Sequence, residues 1–200
     1  MKTKLDAADA LMTEPAFTRA VVGRLLGEPK ESLNVLTNNG DRKHEIRATV
    51  GTNNHDHLFS AFDVIRLAAV AVYWRTTDCG PEERKAVYDK IGLDDVKAAL
   101  DGEAPWFIVF RLDATGQPIL DSGSDFRPER YVGGTFVNLT VVARSVAKRL
   151  QALTPAELMQ TAVRRDADTK RAKSADRPDL TPLVAMLATG GRKETRVRRQ

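Results

Sequence analysis

LFSAFDVIRLAAVAVYW, residues 58–74, is the longest apolar segment of the chain, and it decides how the rest must pack. Charges interrupt it at Asp63 and Arg66, where they would be costly in lipid, and its length barely reaches that of a membrane span. We therefore predict a buried core helix over residues 58–76 rather than a transmembrane helix. Because its surface is apolar nearly all round, other elements should pack on most of its sides.

Two pairs of short β-type runs flank this helix and predict β-hairpins. In the first pair, Leu33–Thr37 and Glu45–Val50 surround Asn38–Asp41, whose Asn-Gly step tolerates the positive φ of a tight turn. In the second pair, the strands are Trp106–Leu112 and Pro118–Ser122. Both pairings are local in sequence and therefore antiparallel.

Helical periodicity marks most of the remaining chain. Over residues 136–153, apolar residues recur at spacings of three and four, which predicts an amphipathic helix. Its apolar stripe consists of Phe136, Leu139, Ala143, Val146 and Leu150. Arg144, Lys148 and Arg149 lie largely off this stripe. Further helices are predicted at residues 14–26, 81–91, 93–100, 155–171 and 181–189.

The mixture of helices and hairpins, without βαβ alternation, predicts an α+β fold. We expect two β-hairpins packed with about six to seven helices around the buried helix 58–76. Residues 1–172 should form a single domain, a usual size for one hydrophobic core. Residues 173–200 should form a C-terminal segment with a short docking helix at 181–189 and a basic, disordered tail.

Charge is distributed unevenly along the chain. Residues 164–200 carry 11 Lys/Arg against 5 Asp/Glu, whereas residues 1–163 carry 20 against 22. The net charge of +4 therefore originates in the C-terminal segment. Such asymmetry is typical of a tail that contacts a polyanion.

The cysteine content and the N-terminus indicate the compartment. Cys79 is the only cysteine, which excludes an intramolecular disulfide and a thiolate zinc cage built from one chain. Residues 1–12 lack the continuous apolar core of a signal peptide. We therefore expect a cytoplasmic protein in a reducing environment, with no membrane partner.

His55, Asp56 and His57 form a compact group of metal-ligating side chains. Imidazole and carboxylate ligands suit zinc, manganese or nickel, and His44 could join them from the preceding strand. The same loop also has a structural interpretation, because Asn54 or Asp56 can cap the helix that follows. A metal-dependent hydrolase or nuclease could instead use carboxylates near the second hairpin, at Asp113, Asp121 and Asp125. No other cofactor is expected.

Two further positions have both a chemical and a structural interpretation. Asp63 and Arg66, three residues apart in the apolar helix, form either a buried catalytic pair or a structural ion pair. Cys79 precedes a predicted helix start, an environment that lowers a thiol pKa and favours a nucleophile. The alternative for Cys79 is an inert buried thiol.

Residues 126–136, FRPERYVGGTF, combine the features of a phosphate-binding turn. Arg127 and Arg130 offer bidentate forks, and Tyr131 can stack on a base. The helix predicted to begin here would add free amides and the positive end of its dipole. Glycines allow a ligand to approach the backbone, and the turn ends with Gly133, Gly134 and Thr135. Alternatively, the glycines only shape a turn and the arginines pair with nearby carboxylates.

The tail and this turn together predict a non-enzymatic protein that binds nucleic acid, such as an accessory or regulatory factor of a bacterium or mobile element. The basic residues near the chain's end would make salt-sensitive phosphate contacts. They are Arg192, Lys193, Arg196, Arg198 and Arg199. A second hypothesis is an assembly subunit whose helix 181–189 docks into a protein partner. The third is the metal-dependent hydrolase or nuclease.

Overall fold

The computed structural model describes residues 12–37, 44–46, 50–52, 56–102, 104–112, 118–124 and 134–153. Within these ranges the chain is α+β, as predicted, with six helices and two small antiparallel sheets. The helices are α1 (Arg19–Leu26), α2 (Lys30–Thr37), α3 (Ala61–Thr77), α4 (Pro81–Lys90), α5 (Leu93–Asp101) and α6 (Leu139–Gln151). The strands are β1 (Phe17–Thr18), β2 (Val50–Thr52), β3 (Asp56–Phe59), β4 (Phe107–Leu112), β5 (Pro118–Gly123) and β6 (Gly134–Asn138). The predicted boundary at residue 172 and the helix at 181–189 lie outside the described residues.

Helix α3 begins at Ala61 rather than at residue 58, because Leu58 and Phe59 belong to β3. Ser60 caps the helix: its hydroxyl accepts the backbone N–H of Asp63 at 3.1 Å. In return, the Asp63 carboxylate accepts the backbone N–H of Ser60 at 3.0 Å. This capping box satisfies two amides that would otherwise be unpaired at a buried helix end.

The same helix contacts the other five helices as well as β3 and β6. Its buried side chains are distributed around the whole circumference, as in Val64, Ile65, Leu67, Val70 and Tyr73. The Tyr73 ring packs against Phe110 of β4, with 3.9 Å between ring centroids. No helix in the described ranges is both long and apolar enough to cross a lipid bilayer.

The first sheet, ordered β1-β3-β2, differs from the predicted hairpin. Leu33–Thr37, predicted as a strand, belongs to helix α2. Leu33 and Leu36 are both buried, and the Thr37 hydroxyl donates to the Leu33 carbonyl at 2.8 Å, because a helix brings these two residues one turn apart. Burial of one helical face therefore outweighs the β-type composition of this run. The predicted turn at residues 38–41 lies outside the described residues.

Strand β3 is the central strand of this sheet and pairs antiparallel with β1 and β2. Of the predicted strand Glu45–Val50, Val50 begins β2, whereas Glu45 and Ile46 lie in no strand. The predicted helix 14–26 begins only at Arg19, because the two residues before it pair with β3 as β1. The pairing of β1 with a distant strand is a tertiary effect that local sequence does not reveal.

The second sheet is ordered β5-β4-β6. Strands β4 and β5 are antiparallel, with Phe107 opposite Gly123. Strand β6 runs antiparallel along the other edge of β4, with Val137 opposite Ile108. Both Ile108 and Val137 are buried and belong to the main core, so this face of the sheet packs inward.

The first three residues of the predicted helix 136–153 form part of β6 instead. Phe136 pairs with Val109 of β4, and α6 begins only at Leu139. The helical spacing of apolar residues continues across this junction, but the ladder to β4 fixes an extended backbone. Phe136, which periodicity placed on the buried stripe, is 52% exposed, whereas Leu139 and Val146 are buried.

Candidate nucleic-acid interface

The structure describes only two residues of the predicted phosphate-binding turn. Gly134 and Thr135 are the first residues of β6 and lie opposite Arg111 and Phe110 of β4. The other turn residues lie outside the described ranges, namely Arg127, Arg130, Tyr131 and Gly133. The predicted tail contacts also lie outside them, namely Arg192, Lys193, Arg196, Arg198 and Arg199.

The helix N-terminus expected at this turn lies further along the chain. Helix α6 begins after Asn138, whose side-chain Oδ1 accepts the backbone N–H of Val141 at 3.1 Å. The prediction that Gly134 and Thr135 adjoin free helix amides is therefore wrong, because these residues belong to a β-ladder.

Helix α6 presents a basic face to solvent. Arg144, Lys148 and Arg149 are exposed, and the helix contains no acidic residue. The Arg144 guanidinium donates to the Gly102 carbonyl at 3.0 Å, and that of Arg149 donates to the Leu25 carbonyl at 2.7 Å. The opposite face is buried through Leu139, Thr140, Ala143, Val146, Ala147 and Leu150. Basic residues near the C-terminus of a helix also complement its dipole, so part of this pattern stabilises α6 itself.

Two members of the predicted metal group, Asp56 and His57, do not lie in a loop that caps the central helix. Asp56 and His57 are strand residues of β3, opposite Thr52 and Gly51 of β2, and Ser60 is the helix cap. His55 lies outside the described residues. Within the described part of the chain, no three His, Cys, Asp or Glu side chains are grouped so that they could hold a metal ion.

Asp63 and Arg66 belong to a buried polar cluster together with Ser60 and Tyr88. The Asp63 carboxylate accepts the Ser60 hydroxyl at 2.9 Å and the Tyr88 hydroxyl at 2.7 Å. Arg66 donates twice to the Tyr88 backbone carbonyl, at 2.8 Å and 2.6 Å. Its guanidinium also lies 3.6 Å from the centre of the Tyr88 ring and 3.8 Å from an Asp63 oxygen.

These contacts make the buried polar cluster a structural link between the start of α3 and the end of α4. Burial, followed by the Asp63 charge, raises the pKa of Tyr88 above its ordinary value, so the phenol remains a neutral donor. Both Asp63 oxygens accept protein donors, so the carboxylate is engaged rather than presented to a substrate. The geometry supports the structural interpretation of the Asp63–Arg66 pair.

Cys79 does not have the lowered thiol pKa expected at a helix start. The residue is 7% exposed, and burial is the main cause that raises its pKa. A contact with Thr77 and the charge of Arg84 act in the opposite direction but do not prevail. The thiol is therefore protonated at neutral pH, which is the state of an inert buried cysteine.

Sequence reasoning missed the environment of Arg84. This arginine of α4 is 3% exposed, and its guanidinium lies 5.1 Å from the centre of the Trp74 ring. Its Nε atom is buried and makes no hydrogen bond. No spacing or motif marked it, since an arginine one turn into a helix normally reaches solvent.

Comparison with protein-family models, with curated proteins and with solved structures finds no match to this chain.

Proposed function

We propose that this chain binds nucleic acid through phosphate contacts and catalyses no reaction on it. The observation that carries the proposal is the charge distribution, with 11 Lys/Arg against 5 Asp/Glu in residues 164–200. Because the preceding 163 residues are nearly balanced, the basic character is local rather than general. Each phosphate contacted by such a segment releases counterions, which favours binding without sequence preference.

The geometry of α6 supports this proposal. Its exposed face bears Arg144, Lys148 and Arg149, and the basic segment follows this helix in the chain after the twelve residues 152–163. A surface that starts on a rigid helix and extends into a basic tail can follow a phosphate backbone over several nucleotides. The helix would set the position of the nucleic acid, and the tail would add affinity.

The arginines of the turn before β6 complete the proposed surface. Arg127 and Arg130 would add bidentate phosphate contacts, and Tyr131 would stack on an unpaired base. Their support comes from residue type and from their place in the sequence, a few residues before β6 begins at Gly134. No helix amides take part in this version of the contact.

The test is a comparison of affinity between the full-length chain and a truncation that ends at Thr189. Duplex DNA, single-stranded DNA and single-stranded RNA, each fluorescently labelled, are titrated with both proteins at several salt concentrations. We expect the full-length protein to bind and the truncation to bind at least tenfold more weakly at low salt, because five basic residues are lost. Equal affinity of the two proteins would contradict a role for the tail.

A matched pair of substitutions tests the contribution of α6. Lys148→Gln removes a charge from the proposed surface, whereas Lys90→Gln removes a charge from another exposed lysine, at the end of α4. We expect Lys148→Gln to weaken binding and to lower the salt dependence by about one phosphate contact. If Lys90→Gln has the same effect, the helix has no special position in binding, and net charge alone acts.

A further inference from the structure

Two arginines of α6 bind backbone carbonyls at the ends of other helices. The Arg149 guanidinium donates to the Leu25 carbonyl of α1 at 2.7 Å, in a partly buried contact between residues 124 positions apart. The Arg144 guanidinium donates to the carbonyl of Gly102, the residue after the end of α5, at 3.0 Å. The protein itself therefore engages two of the cations on the basic face of α6.

The carbonyl that Arg149 binds belongs to the last turn of α1, where backbone carbonyls have no partner within the helix. In this turn the backbone N–H of Gly27 binds the carbonyls of Arg24 and Gly23. Arg149 adds a donor for Leu25, the residue that follows them. Gly27 has a φ of 68°, and a Cβ atom at its position would lie 3.4 Å from an Arg149 nitrogen, so the guanidinium lies against the helix end.

The contact at α5 supplies a cation that this helix lacks in its own last turn. A cation is favourable at a helix C-terminus, because the unpaired carbonyls give this end a partial negative charge. The last turn of α5 contains no basic residue, and the helix ends with Asp101. Arg144 of α6 therefore brings the complementary charge from outside the helix.

Lys148 lies between these two arginines in sequence and differs from both. Its side chain is exposed, and within the described part of the chain its ammonium takes part in no hydrogen bond or ion pair. It follows Arg144 by four residues, so the two side chains lie on the same face of α6. At either arginine the positive charge is partly balanced by the negative end of a helix, whereas the charge of Lys148 is balanced only by solvent.

We propose that Arg144 and Arg149 hold α6 against the ends of α5 and α1, and that Lys148 is the residue of this face that contacts phosphate. The second half of the proposal rests on the proposed function, whereas the first half concerns stability alone. The two arginines are positioning residues: they fix the helix that carries Lys148 and do not themselves contact the nucleic acid. The basic face of α6 then contributes one phosphate contact, fewer than its charge suggests.

Thermal unfolding without nucleic acid tests the two helix-end contacts. Arg149→Gln should lower the melting temperature by about 4 °C, because the Leu25 carbonyl loses a charged donor in a partly buried place. Arg144→Gln should lower it by less, since its contact is exposed to solvent. Lys148→Gln removes the same charge from the same helix and is the matched control, which should shift the melting temperature by less than about 1 °C. Equal melting temperatures of Arg149→Gln and Lys148→Gln would overturn the role of the helix-end contacts.

The dependence of nucleic-acid affinity on salt concentration tests the assignment of the phosphate contact. The same three variants are titrated with fluorescently labelled single-stranded DNA at a temperature at which each of them is folded. Lys148→Gln should lower the salt dependence by about one phosphate contact, and both arginine variants should keep the salt dependence of the unsubstituted chain. A decrease in an arginine variant as large as that in Lys148→Gln would show that this arginine contacts phosphate, and would overturn its positioning role.

This proposal and the proposed function fail on different outcomes. If the unsubstituted chain binds no nucleic acid at low salt, the proposed function and the phosphate contact of Lys148 are both wrong, and thermal unfolding alone decides the role of the arginines. If the chain binds and Lys148→Gln leaves the salt dependence unchanged, the proposed function stands and the assignment of Lys148 is overturned.

Discussion

Arg66 and Arg84 are two largely buried arginines that differ in how their charge is satisfied. Arg66 donates two hydrogen bonds to the Tyr88 carbonyl and lies over the Tyr88 ring. Arg84 lies over Trp74, and its Nε atom makes no hydrogen bond. A buried cation without good partners is costly, whereas removal of a well-bonded one leaves its partners unsatisfied.

This difference predicts that the same substitution destabilises the protein much more at Arg66 than at Arg84. Arg66→Met should lower the free energy of unfolding by about 3 kcal/mol, and Arg84→Met should change it by less than about 1 kcal/mol or raise it. Urea unfolding of the two variants, followed by circular dichroism, measures both values. A loss at Arg84 as large as that at Arg66 would mean that Arg84 has a partner that the described contacts do not contain.

Tyr88 provides a prediction for alkaline pH. Burial, and then the charge of Asp63, raises its pKa above the ordinary value of 10.0. A group with a raised folded-state pKa contributes stability that is complete below its unfolded pKa and is lost as the pH rises towards the folded value. We therefore expect the free energy of unfolding to fall above about pH 10, by up to about 1.4 kcal/mol per pH unit from this residue.

The control for this effect is Tyr88→Phe, which removes the titrating hydroxyl. It should lower stability at neutral pH by about 1–2 kcal/mol, because Asp63 loses a buried donor. In this variant the free energy of unfolding should also fall less steeply as the pH rises, as measured by urea unfolding between pH 7 and pH 11. Parallel declines in the two proteins would show that other groups, such as Cys79 and Tyr73, cause the alkaline loss.

At the scale of elements, the start of α3 depends on the capping box of Ser60 and Asp63. Ser60→Ala should lower the free energy of unfolding by about 1–2 kcal/mol, because it leaves the Asp63 amide without its acceptor at a buried position. Ser145→Ala, at an exposed position within α6, should change stability by less than about 0.5 kcal/mol. Thermal and urea unfolding of both variants would compare them, and equal effects would contradict the importance of the cap.

The helices and strands also show which parts of the secondary structure the sequence patterns predict correctly. Periods of three and four identified the body of α6, because Ala143, Val146 and Leu150 are buried on one face. They failed at Phe136, because apolar spacing cannot distinguish a helix from a strand that pairs with the distant β4. The prediction for residues 33–37 was wrong in the opposite direction. Their β-type composition predicted a strand, but they form part of α2, because the burial of one helical face outweighs that composition.

The candidate site was less predictable than the fold. The basic face of α6 follows from helical geometry, because Arg144 and Lys148 are four residues apart and lie off the apolar stripe. The position of Gly134 in a strand rather than at a helix start could not be inferred, because it depends on β4. The raised thiol pKa of Cys79 depends on tertiary burial, which no local motif reports.

At the scale of the whole molecule, residues 1–163 carry nearly equal numbers of basic and acidic residues, and the excess of basic residues lies in residues 164–200. The proposed function predicts that stability and binding are separable: substitutions in the core should change the free energy of unfolding but not the affinity for nucleic acid, and substitutions in residues 192–199 should do the reverse. Ser60→Ala and the truncation that ends at Thr189 are the two variants that test the separation. A truncation that strongly destabilised the body would show that the C-terminal segment belongs to the core.

The most direct measurement of the central claim is the dependence of nucleic-acid affinity on salt concentration. For the full-length chain, the logarithm of the association constant should fall linearly with the logarithm of salt concentration, and the slope gives the number of phosphate contacts. The truncation that ends at Thr189 should bind more weakly and with a shallower slope. Absence of binding at low salt, or an affinity independent of salt in the full-length protein, would contradict the account.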